Sequence, residues 1–166
     1  MRLRPTGAAD LPFVTSLERH EENRELIGQW TDPEHLDAIA GKRNREHRII
    51  ERDGAPAGYV IAYDGRGASP SMYIKRVLIA DKERGTGKAA IAMLLDDCFA
   101  RDGVDFAWLL VRQRNDRAQA AYRKLGFTRY DPTAEEAEAL ERYAEAPGPE
   151  SFRMRIDRAT WHGRRA

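Results

Sequence analysis

The sequence has little of anything that marks a special environment. One cysteine, Cys98, stands in 166 residues, so no internal disulfide forms and the chain reads as cytoplasmic. No apolar run approaches a membrane span, and the opening MRLRPTGAAD lacks the apolar core of a signal peptide. Net charge is nearly absent, with 28 basic residues against 27 acidic ones and a formal +1. A dedicated nucleic-acid binder needs a basic excess on one face, so this balance speaks against one. His20, His35, His47 and His162 have no metal-ligand spacing, and no G-x-S-x-G elbow occurs. Cys98 lies in an apolar helical stripe without a histidine partner in sequence. Metal and covalent chemistry are not expected.

What is present is an ordinary soluble composition, 42% apolar and 33% charged, at a length that suits one domain, residues 1–166, with a real core. RLRP reads as a short strand, and GAADLPFVTSLERHEENREL as one helix with Leu11, Val14 and Leu17 at helical spacing. WTDPEHLDAIAGK opens with a helix start signal, in which Thr31 or Asp32 caps, Pro33 enters the first turn and Glu34 completes a capping box. HRIIERDGAPAGYVIAYD is a hairpin around Asp53-Gly54. SMYIKRVLIA is a third long strand, and TGKAAIAMLLDDCFARDG an amphipathic helix. VDFAWLLV is apolar throughout, as a strand covered on both faces is. NDRAQAAYRKLGF is a short helix capped by Asn115 or Asp116 and stopped by Gly126; a strand from Phe127 to Tyr130 follows. TAEEAEALERYAEAPGPE is an acidic helix with a Thr133–Glu136 capping box, SFRMRID a last strand, and RATWHGRRA gives no pattern. The class is mixed α/β.

The stretch RGTGKAA, Arg84 to Ala90, falls where a strand gives way to a helix. Glycines there let successive N–H groups converge, and the helix dipole adds partial positive charge. A phosphate suits such a place; so does an ordinary surface turn with two solvated cations. A nucleotide-binding P-loop needs a longer spacing and a hydroxyl where Ala89 stands. A dinucleotide fingerprint needs three glycines on a first strand, whereas this loop follows at least three strands.

The remaining pattern, Arg84-x-x-Gly87-x-Ala89 after the strand RVLIA, resembles the acetyl-CoA pyrophosphate motif of the GNAT-type N-acetyltransferases, Q/R-x-x-G-x-G/A. Downstream, Asn115, Ala118, Tyr122 and Leu125-Gly126-Phe127 resemble that family's next motif, at the matching separation of one helix and one buried strand. WTDPEH is similar to the branch holding ribosomal-protein and polyamine acetyltransferases. The resemblance implies a mixed, mostly antiparallel sheet split near the cofactor, with helices on both faces. It implies acetyl-CoA as co-substrate, direct acetyl transfer to an amine, and allows a homodimer.

By the same resemblance, Val77 and Ile79 pair their backbone with the pantetheine arm. Backbone N–H groups of Arg84, Gly85, Thr86, Gly87, Lys88 and Ala89 hold the pyrophosphate, with charge from Arg84 and Lys88. Asn115 either touches the cofactor or only caps its helix. Tyr122 either protonates the leaving thiolate, as a phenol of pKa about 10 facing a thiol of about 8.5, or packs as core. Relatives carry a glutamate near position 73, where this chain has Tyr73, so the general base is unassigned among Glu21, Glu22, Glu25, His35 and His47. The missing glutamate leaves room for a non-catalytic acyl-CoA module, and the motifs leave room for a larger acyl group. Glu18, Glu21, Glu22 and Glu25 lie on neighbouring helical turns, and their sharing one face would draw a cationic acceptor.

Overall fold

Seven strands run in the hydrogen-bonded order β1-β2-β3-β4-β5-β7-β6. A computed structural model of the chain describes residues 1–82 and 85–166. The strands are β1 Arg2–Pro5, β2 Arg45–Arg52, β3 Ala55–Asp64, β4 Ser71–Ile79, β5 Phe106–Arg112, β6 Thr128–Tyr130 and β7 Ser151–Asp157. Helices are α1 Leu11–Arg19, α2 Glu21–Arg24, α3 Asp32–Ile39, α4 Thr86–Phe99, α5 Asp116–Leu125, α6 Ala134–Glu141 and α7 Arg158–Arg165. The sheet is mixed: β1–β2, β5–β7 and β6–β7 are antiparallel, while β4–β5 is parallel. Among the described residues no helix is long and apolar enough to cross a membrane. By contacts the chain divides into two compact units, and β3, β4 and α4 each pass from one into the other.

The first unit holds Met1–Ala62 and Arg76–Met93. Its hairpin turns at Asp53 and Gly54, with φ of 52° and 79°, the two left-handed residues that a type I′ turn requires. β1 pairs with β2 from Arg2↔Glu51 to Pro5↔Arg48, and Pro5, which has no N–H to donate, is tolerated because β1 is an edge. Arg4 joins Asp10 through two 2.8 Å bonds and Glu51 through a third of 2.9 Å. Thr31 and Glu34 make the expected capping box on α3. The expected single N-terminal helix is broken. His20 has ψ 136°, and the buried Asn23 amide donates to the Leu17 carbonyl at 2.8 Å, satisfying an acceptor the break leaves open.

The second unit holds Tyr63–Lys75 and Leu94–Ala166. β5 is buried nearly throughout, and pairs with β7 over Phe106↔Asp157 to Arg112↔Ser151. Its parallel ladder with β4 runs from Ser71↔Phe106 to Ile74↔Leu109 and ends there, while β4 continues to Ile79. Asn115 caps α5 and Gly126, at φ 105°, closes it. The patternless tail is α7. Its Trp161 donates to Asp96 Oδ1 at 2.9 Å, and Arg158 donates to the carbonyls of Phe99, Arg101 and Val104 where α4 ends.

Candidate active site

In the first unit α4 starts from Gly85, whose carbonyl accepts the first helical bond from Ala89 N at 3.1 Å. Gly85 has φ +68° and open space where a side chain would stand. The N–H groups of Thr86, Gly87 and Lys88 precede the first helical bond and have no partner within the helix. Thr86 is buried; Lys88 and Ala89 are exposed. Arg84 lies outside the described residues. A Cβ on Gly87 would lie 3.2 Å from Ile79 Cγ1. The absent side chain thus lets the first turn of α4 rest on β4, a packing role beside any cofactor role. Ile79 is buried and Val77 half-buried on the stretch of β4 beyond its ladder with β5. Arg52, at the end of β2, donates from Nη1 to Thr86 Oγ1 at 3.0 Å. No local pattern announces that contact, because it depends on where the hairpin folds back.

In the second unit Asn115 Oδ1 accepts from Ala118 N at 3.1 Å, so the capping role is realised. Tyr122 lies on the same helix with its ring 5.7 Å from that of Phe127. Its hydroxyl has no hydrogen-bond partner among the described residues, and burial pushes its pKa up to about 12. The phenol is protonated at every physiological pH. Tyr73, near which the resemblance implies a glutamate, is buried and stacks on Trp108 at 4.4 Å between centroids.

The base candidates part company in the first unit. His35 and His47 are buried and meet, with His35 Nδ1 3.1 Å from His47 Nε2, and His47 Nδ1 is 2.8 Å from Thr6 Oγ1. His35 Nε2 lies 3.2 Å from Glu18 Oε1, a close contact without hydrogen-bond alignment. That carboxylate also accepts from the Tyr59 hydroxyl at 2.5 Å, from Trp30 N at 3.1 Å and from Arg76. Glu18 therefore shares no exposed face with Glu21, Glu22 and Glu25: it points inward from α1, and the turn at His20 starts those three on a separate segment. Burial alone would raise the Glu18 pKa, but the His35 contact, the Tyr59 hydrogen bond and the Arg76 charge outweigh it, to about 2. His47 is held at about 4, chiefly by burial and then by repulsion from His35. The cluster was not legible because its members come from stretches of chain far apart in sequence.

The fold is shared with the spermidine N-acetyltransferase from Vibrio cholerae solved with CoA and spermine (TM-score 0.72, 18% identity, 97% of both chains covered). It is shared likewise with the aminoglycoside acetyltransferase AAC(6')-Ib in complex with coenzyme A (TM-score 0.78, 18% identity, 99% of this chain and 98% of that one). A third case is apo FdhC, a nucleotide-linked sugar GNAT (TM-score 0.75, 16% identity, 98% and 89%). At such identities the likeness concerns the fold alone. No curated protein sequence matches the chain. The model of the acetyltransferase (GNAT) family matches residues 13–127, more than half of the sequence. The chain belongs to that family, and it is an acyl-CoA-dependent N-acetyltransferase.

Proposed function

We propose that the protein moves the acetyl group of acetyl-CoA directly onto a cationic primary amine, with residues 1–166 acting as one acetyltransferase domain in the cytoplasm. The observation that carries the donor side is the start of α4. Gly85 leaves open space there, and the N–H groups of Thr86, Gly87 and Lys88, which have no partner within the helix, follow at its N-terminus. A pyrophosphate is the anion that this family's motif holds at such a turn. The backbone of Val77 and Ile79, on the stretch of β4 beyond its ladder with β5, takes the amides of the pantetheine arm as an added strand would.

The chemistry then needs little machinery. The ammonium first gives a proton to solvent; the neutral nitrogen then attacks the thioester carbonyl, the C–S bond breaks, and the nitrogen sheds a second proton to solvent, leaving an amide and a thiolate. Holding the two reactants together supplies most of the acceleration. Tyr122 donates its hydrogen bond, and finally its proton, to the departing sulfur. Its hydroxyl has no competing partner among the described residues, which suits a donor awaiting one.

Support for a cationic acceptor comes from the exposed carboxylates Glu21, Glu22 and Glu25 around α2, although Glu22 also faces Lys82 at 3.1 Å. The related structures with spermine and with kanamycin hold amines that are cations at neutral pH. An amine panel of polyamines, aminoglycosides, amino acids and peptide N-termini, followed by thiol release, tests the reading. Acetyl-CoA binding without turnover on any amine would favour an acyl-CoA sensor; faster turnover with succinyl-CoA would reassign the acyl group.

A further inference from the structure

Arg52 and Thr86 meet at the first turn of α4, from residues far apart in sequence. A guanidinium carries five N–H donors in a fixed fork. One of them is spent on Thr86 Oγ1 at 3.0 Å. Its Nε also forms a loose ion pair with Asp53 at 3.7 Å, beyond hydrogen-bond range, whose side chain is 92% exposed. The rest of the fork has no partner among the described residues. Thr86 is nine-tenths buried, and its hydroxyl accepts from Arg52 while keeping its own hydrogen to donate. Around this point stand the first N–H groups of α4, which have no partner within the helix, and the exposed Lys88. Among the described residues, donors and positive charge gather here.

We propose that Arg52 is a further donor-binding residue, whose guanidinium, braced on Thr86, takes a phosphate of the acyl-CoA. The inference rests on the donor reading above and adds to it a side chain from the β2–β3 hairpin. A guanidinium suits this task because its planar fork can brace on a hydroxyl with one edge and meet two phosphate oxygens with another. An ordinary surface arginine would point into water; this one is tied to a buried threonine at the place where the anion is expected.

The experiment is calorimetric titration of the intact protein with acetyl-CoA and with acetyl-dephospho-CoA, which lacks the 3′-phosphate, at several salt concentrations. Arg52→Gln should weaken acetyl-CoA binding about tenfold or more and flatten the dependence of log Kd on log salt. Arg52→Lys, which keeps the charge and loses the fork, should recover part of that affinity. A loss that persists with the dephospho donor assigns the pyrophosphate; a loss that vanishes with it assigns the 3′-phosphate. Wild-type affinity in Arg52→Gln overturns the proposal. So does a weakened variant whose salt slope is unchanged, since that means Arg52 only supports the fold. Failure of the wild-type protein to bind acetyl-CoA would instead bring down the donor reading itself, and this inference with it.

Discussion

Glu18 on α1 and Arg76 on β4 form an ion pair with side chains only 2% and 3% exposed. Two charges are rarely carried so deep without further partners, and here each has them. Glu18 also accepts from Tyr59 and Trp30, and Arg76 donates to the carbonyl of Gly28. The pair therefore ties α1, β3, β4 and the connection before α3 together.

Removing one member strands the other. Glu18→Gln preserves shape but leaves Arg76 without its counter-charge, at an expected cost of roughly 3–5 kcal/mol. Urea unfolding measures it. The double variant Glu18→Gln/Arg76→Met should lose less than the sum of the two singles, because the second change removes the stranded charge. Strict additivity would mean that the two side chains are not energetically coupled.

Acid should destabilise the protein through the same cluster. His47 titrates near 4 in the fold against an ordinary 6.5, and Glu18 near 2 against 4.5. In both cases the unfolded chain binds more protons as pH falls, so stability declines with acidification. His47 contributes its loss between about pH 6.5 and 4, and Glu18 between about 4.5 and 2. The urea midpoint of the wild type should therefore fall from pH 7 to pH 4. In His47→Gln the slope between pH 6.5 and 5 should shrink; an unaltered slope would show that the imidazole stays neutral in neither state or both.

Gly87 and Ile79 make a second checkable contact. A methyl at Gly87 would press on Ile79 Cγ1 from 3.2 Å, so Gly87→Ala must shift the first turn of α4 or the Ile79 side chain. We expect a lower melting temperature together with weaker acetyl-CoA binding. Restoring room with Gly87→Ala/Ile79→Val should bring back part of both. Gly87→Ala with wild-type melting and wild-type affinity would contradict the packing seen here.

Much of this was legible beforehand, for local reasons. The Thr31–Glu34 and Thr133–Glu136 boxes are satisfied within one helical turn, and the Asp53-Gly54 turn needs only two left-handed residues. The signals and the bonds that satisfy them lie within a few residues of each other. The illegible parts depend on partners far along the chain. Glu18 reads as one more solvated helix carboxylate until Arg76 and Tyr59 are folded against it. RATWHGRR has a single large apolar residue, and becomes α7 because Trp161 finds Asp96 and Arg158 finds the open carbonyls after α4. The break at His20 follows from Asn23 reaching back to Leu17, which helical periodicity alone does not register.

Tyr122 is the sharpest remaining test, because its two roles differ in what they leave behind. As packing, the ring matters and the hydroxyl does not; as proton donor, the reverse holds. Burial lifts the phenol to about 12, well above a thiol near 8.5. Outright proton transfer to the thiolate is then uphill, so the hydroxyl acts first as a hydrogen-bond donor to the charge that develops on sulfur. Tyr122→Phe should keep the fold and the acetyl-CoA affinity, and slow acetyl transfer by roughly a hundredfold, the lower range for a lost general acid. A slow product-release step would mask the loss in steady state, so the rate should be taken from a single turnover with enzyme in excess. With a phenol at about 12, the wild-type single-turnover rate should show no descending limb from Tyr122 below pH 10. A thioester with a better leaving group, such as an aryl thiol, needs less help on sulfur and should narrow the gap between variant and wild type. Equal single-turnover rates on acetyl-CoA would reduce Tyr122 to a ring packed against Phe127.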